Sequence, residues 1–150
     1  MTTLFQIALV AIPLAMLTAC NSGSRALSDA TRLPTVTDCD PQSRDCRIEL
    51  PGGGSLRVRF NDRPVRAMDE FIVDMQTAGG KVLKLVVDGV NMDMGFNEFI
   101  VEHVGEDVYR AQVLLPICIR KKMIWDLNVY VERNGQLFKV PFRFATRARR

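Results

Sequence analysis

Between residues 56 and 144 apolar and polar side chains alternate in short runs, and a period of two is the mark of strands with one buried face. Leu56, Val58 and Phe60 alternate with Arg57 and Arg59, and Phe71, Val73 and Met75 alternate with Asp74 and Gln76. Leu83, Leu85 and Val87 lie in a nearly continuous apolar run, which predicts a strand buried on both faces. Phe99 and Val101 follow, then Tyr109, Ala111, Val113 and Leu115. Trp125, Leu127, Val129 and Val131 alternate with Asp126, Asn128, Tyr130 and Glu132, and Phe138, Val140, Phe142 and Phe144 close the series. Turn signals part the runs: Pro51 with Gly52, Gly53 and Gly54, Gly79 with Gly80, Gly105, and Asn134 with Gly135. The last is the favoured two-residue hairpin turn, because both of its positions must accept positive φ. The expectation is an all-β fold, an antiparallel β-sandwich of about seven to eight strands, with an up-and-down barrel as the alternative.

Strand parity carries this further. If each run reverses the one before it, loops fall alternately at the two ends of the sandwich. The turns near residues 52, 79, 106 and 134 then share one end. The loops at 61–68, 91–95 and 116–122 share the other, together with Met68, Met92, Met94, Cys118 and Met123. Cys46, which opens the first strand, is expected nearby. His103, beside Gly105, is expected at the first end and outside this sulfur group.

Composition narrows the function classes. The chain has 150 residues, of which 47% are hydrophobic and 25% charged, which suits one ordinary folded domain. A net charge of +3 is too small to imply nucleic acid. Arg147, Arg149 and Arg150 form a basic tail at 147–150, expected to be solvated, with anionic lipid headgroups as a minor alternative partner. Enzyme chemistry is not expected. A single histidine leaves no zinc cluster and no nucleophile–base pair, and Asp38, Asp40 and Asp45 lack the spacing of a calcium loop.

The first nineteen residues hold no charged side chain, and residues 4–17 are almost continuously apolar. That length is short for a membrane span and suits a secretory signal. Leu17, Thr18, Ala19 and Cys20 then resemble the lipobox of bacterial lipoproteins. The resemblance implies a signal peptide over 1–19, cleavage before Cys20 and an acyl anchor on Cys20. An ordinary cleaved signal with an incidental cysteine is the alternative. No Lys or Arg precedes the apolar run, which leaves open a start upstream of Met1. In such lipoproteins an Asp after the cysteine tends to retain the protein in the inner membrane, so the resemblance implies that Asn21 favours the outer membrane, facing the periplasm. Residues 20–45 read as a lipidated tether, rich in small and polar residues between residues 21 and 39. The sandwich is expected over 46–146. In an oxidising compartment Cys39 and Cys46 are expected to form a disulfide, which leaves Cys118 as a free thiol, a metal ligand or a partner for either of the others.

The sulfur-bearing loops have two readings. Methionine and cysteine are soft ligands that select Cu(I), and Met92 and Met94, two apart on one loop, can face one ion. Alternatively the methionines fill gaps at the end of the core and Cys118 is a small buried hydrophobe. The stretch Met92-Asp93-Met94-Gly95, then Leu115-Pro116-Ile117-Cys118, then Met123-Ile124-Trp125-Asp126-Leu127-Asn128-Val129 resembles the YtkA-like and FixH-like envelope domains. The resemblance covers roughly residues 55–146. It implies an immunoglobulin-like sandwich and a role in copper handling or oxidase assembly. On parity and resemblance together, Met92, Met94 and Cys118 are expected to share one Cu(I) site, with Met68 and Met123 in reserve. The competing function is a non-metal interaction module that docks another envelope protein, for which an exposed apolar edge strand would speak.

Overall fold

The computed structural model describes residues 27–147. Cys20, its lipobox, Asn21 and the tail residues Arg149 and Arg150 lie outside the described residues. A single 3-10 turn, Leu27–Asp29, precedes the strands. These are β1 (Thr31–Arg32), β2 (Cys46–Glu49), β3 (Ser55–Phe60), β4 (Glu70–Ala78), β5 (Lys81–Gly89), β6 (Asn97–Phe99), β7 (Glu102–Gly105), β8 (Val108–Leu114), β9 (Lys122–Arg133) and β10 (Gln136–Arg147). They form two five-stranded sheets, ordered β1-β10-β9-β5-β6 and β2-β3-β4-β8-β7. The order β3-β4-β8-β7 against β10-β9-β5-β6 is the immunoglobulin arrangement, four strands facing a sheet whose third strand carries one added neighbour.

The alternating runs build the core as their period requires. Val58 and Phe60 from β3, Phe71, Val73 and Met75 from β4, and Trp125, Leu127 and Val129 from β9 are all buried. Phe60 ties the two sheets together, with its ring 5.1 Å from that of Phe71 on the next strand and 5.2 Å from that of Phe144 on the opposite sheet. Such tilted and edge-on pairs add stability beyond their buried area. The Trp125 indole, fully buried, donates to Thr146 Oγ1 at 2.9 Å.

Parity assigns the loops to their ends as expected, and Arg133 shows it. Its guanidinium, at the end of β9, donates to Gly52 O at 3.0 Å and to Gly79 O, joining three hairpin turns of one end. The Thr77 amide, donating to Asp107 O at 2.9 Å, adds the fourth.

Three details differ from the sequence expectation. There are ten strands among the described residues rather than seven to eight. The run around Phe99 and Val101 divides into β6, paired with β5, and β7, paired with β8, because residues 100 and 101 carry the chain from one sheet to the other. This pair still behaves as one run in the parity count. Next, the ladder between β5 and β9 slips between Val82 and Lys84, a bulge that turns Val82 into the core and leaves Leu83 exposed. Val82, Leu85 and Val87 face inward together, and Val86 is buried on the opposite face.

The third difference concerns residues 20–45. From Thr31 this segment is part of the sandwich: β1 runs parallel to β10, and Val36 bridges to Phe142. Gln42 then acts as a clasp, donating to Val65 O at 3.1 Å and Ala145 O at 3.0 Å and accepting from the Val65 amide at 2.8 Å. The composition is still that of a loop, but backbone bonding to an open sheet edge needs no apolar side chains. Cys39 and Cys46 form the expected disulfide, with Cα atoms 5.7 Å apart, and Cys118 is a free cysteine.

Candidate functional site

The end opposite Arg133 gathers the loop between β5 and β6, the loop between β8 and β9, and the segment between β3 and β4. Each is fastened by short polar residues. Asn91 Nδ2 donates to Lys122 O at 3.0 Å, and its Oδ1 accepts from the Ile124 amide at 2.9 Å, so one side chain closes the first loop onto the start of β9. Asp93 accepts from the Gly95 amide at 2.8 Å and shapes the turn, where Gly95 takes a φ of 71°. Asn97 donates to Met94 O at 3.2 Å and Val87 O at 3.3 Å, holding the end of the loop to β5. The Met68 amide donates to Leu115 O at 3.0 Å, joining the third segment to the second.

These fastenings bring sulfur atoms together from positions far apart in sequence. The Cys118 thiol donates to Met92 Sδ at 3.1 Å. Cys118 Sγ in turn accepts from the Arg120 amide at 3.4 Å. Met94 lies beside Gly89. A methyl placed on the Gly89 α-carbon would lie 2.2 Å from Met92 O, 3.0 Å from Met94 Cγ and 3.3 Å from Met123 Cε. The Met94 and Met123 side chains and the Met92 backbone therefore crowd one glycine. Met123 is buried, whereas Met92, Met94 and Cys118 are half-buried against the core. Met68 lies on a neighbouring segment and is 51% exposed.

His103 stands apart. It is on edge strand β7, stacked on Tyr109 with ring centroids 4.8 Å apart. Among the described residues no three His, Cys, Asp or Glu side chains converge as a metal-holding group. The donors at this end are soft sulfurs, the type that suits Cu(I) rather than harder ions. Placing a metal there requires loss of the thiol proton that now lies between Cys118 and Met92.

The scaffold of this end comes from residues outside the expected sulfur set. Gly89, Asn91, Asp93 and Asn97 bring the sulfurs together without supplying one. Three of the four are Asn or Asp, side chains that bond to nearby backbone in turns, and their density between residues 91 and 97 was a signal for a built loop. Gly89 carried no such signal, because its need arises from a loop folding back on it. No family model, curated protein or solved structure matches the chain.

Proposed function

We propose that the loop end of the sandwich binds Cu(I) through Cys118, Met92 and Met94, with Met123 as a neighbouring thioether, and that the chain handles copper as an envelope lipoprotein. The observation that carries the reading is the 3.1 Å contact between Cys118 Sγ and Met92 Sδ, with Met94 and Met123 meeting over Gly89. Half-burial suits a metal that is held and passed on: Met92, Met94 and Cys118 pack against the core and each keeps part of its surface exposed. The thiol releases its proton on binding, and the thiolate and the thioethers donate to the ion. The resemblance to copper-associated envelope domains supports the same role. The lipobox supports an acyl anchor at Cys20, and Asn21 after it supports the outer membrane, facing the periplasm.

The test is Cu(I) titration of the chain from Asn21 on, against a competing Cu(I) chelator. All strands and the disulfide lie within residues 31–147, so this chain keeps every ladder of the fold. Replacing Met92→Leu and Met94→Leu together preserves volume and should change stability by less than about 1.5 kcal/mol. Cu(I) affinity is expected to fall by orders of magnitude in that variant and in Cys118→Ser. Wild-type affinity in both variants rejects the site.

One observation favours the second reading, a non-metal interaction module. Edge strand β7 is exposed at all four residues, including Val104, and Ile100 just before it is 84% exposed. An open edge of this kind accepts an added strand from a partner. If copper does not bind, this edge becomes the leading functional surface.

A further inference from the structure

The loop between β8 and β9 has a property that metal binding does not use. Ile117 and Ile119, on either side of Cys118, are 72% and 93% exposed. Two large aliphatic side chains this exposed on one short loop make a small apolar tip. Directly after them come Arg120, Lys121 and Lys122, all exposed, and among the described residues none of the three forms an ion pair. An apolar tip beside unpaired cations is the chemistry of an anionic lipid surface: aliphatic groups enter the acyl boundary while cations meet headgroup phosphates. We propose that residues 115–122 form a membrane-docking loop, in which Ile117 and Ile119 insert into an anionic bilayer and Arg120, Lys121 and Lys122 hold its phosphates. The basic run supplies the charge complementarity that a purely apolar patch would lack.

The test is vesicle flotation of the chain from Asn21 on, which lacks the anchor and the apolar leader and needs no copper. The probes are phosphatidylcholine vesicles with and without about one-third phosphatidylglycerol. The wild-type chain should float with the anionic vesicles, stay behind with the neutral ones, and be released by salt. Ile117→Ser with Ile119→Ser, and Arg120→Gln with Lys121→Gln and Lys122→Gln, should each weaken binding by at least about tenfold. All five positions are exposed, so both variants should fold, and far-UV circular dichroism checks this. Equal or absent binding of the wild type to the two vesicle types overturns the proposal and leaves the loop to a protein partner. Flotation of either folded variant at the wild-type level also overturns it.

Discussion

The Gly89 α-carbon approaches the Met92 carbonyl so closely that a side-chain carbon there would sit 2.2 Å from the oxygen. No real side chain tolerates that distance, so the methionine loop can fold onto β5 only because residue 89 has none. Gly89→Ala should push the loop outward and cost about 1–3 kcal/mol, the usual range for overpacking. Because the Met92 backbone and the Met94 and Met123 side chains all press on this point, Cu(I) affinity should fall with stability. Urea denaturation and chelator competition on the same variant check both halves. A variant as stable as the wild type would mean that the loop rests elsewhere in solution.

Trp125 and Thr146 share a hydrogen bond in the core, between neighbouring strands β9 and β10. Thr146→Val keeps the shape but leaves the indole N–H buried without an acceptor. The expected loss is about 1–3 kcal/mol. Trp125→Ala removes the largest fully buried side chain and should cost about 3–5 kcal/mol. Equilibrium unfolding of the two variants gives the comparison, and an unaltered midpoint for Thr146→Val would show that the indole finds another partner.

Asp74 on β4 accepts two bonds from Arg110 on β8, at 2.7 and 3.2 Å. The Arg110 guanidinium holds its carboxyl below the ordinary carboxylate range, against the opposing effect of partial burial. The folded chain therefore binds this proton less readily than the unfolded chain. The stabilisation is present above the ordinary Asp range and is lost as pH falls through the lowered folded value. Asp74→Asn should flatten the acid limb of a stability–pH profile while changing its neutral-to-alkaline shape little. An identical acid limb in the variant would remove Asp74 as its source.

Lipid attachment at Cys20 is expected to decide fractionation. Cys20→Ser should leave the chain without acyl mass and shift it out of the membrane fraction on washing at high salt, conditions that also release the charged loop at 115–122. Intact-mass analysis of the membrane fraction is the measurement. An unmodified wild-type chain beginning at another residue would remove the anchor.

Thiol counting separates the cysteines. With Cys39 and Cys46 joined, the unreduced chain from Asn21 on should show one reactive thiol, Cys118. Three thiols, or a mapped bridge to Cys118, would contradict the pairing. Saturating Cu(I) should protect the single thiol from alkylation, and unchanged reactivity with metal bound would argue against Cys118 as a ligand.

Much of this protein could be read from local pattern. Trp125, Leu127 and Val129 alternate with polar neighbours, and a pleated strand must place them on one face, so their burial needed no knowledge of partners. Parity followed from the turns in the same way. It put residues 91–95 and 116–122 at one end, and the Cys39–Cys46 disulfide followed separately from their closeness in sequence in an oxidising compartment. Other features depend on what a residue meets across space. Leu83 and Val82 are equally apolar in sequence, and only the slip of β5 against β9 decides that Val82 enters the core. Residues 31–36 look like a tether by composition, yet β10 offers an open backbone edge and they pair with it. Asp126 and Asn128 alternate outward as polar residues should, but neighbours on both sides of a central strand bury them, with Asp126 paired to Arg143 at 2.9 and 3.0 Å. The sulfur group belongs to the same class. Sequence placed Met92 and Cys118 at one end of the sandwich, whereas their 3.1 Å contact depends on Asn91 closing the loop and on Gly89 leaving room beneath it. Side-chain alternation is a property of the chain alone, and contact between loops is a property of the surface they fold onto.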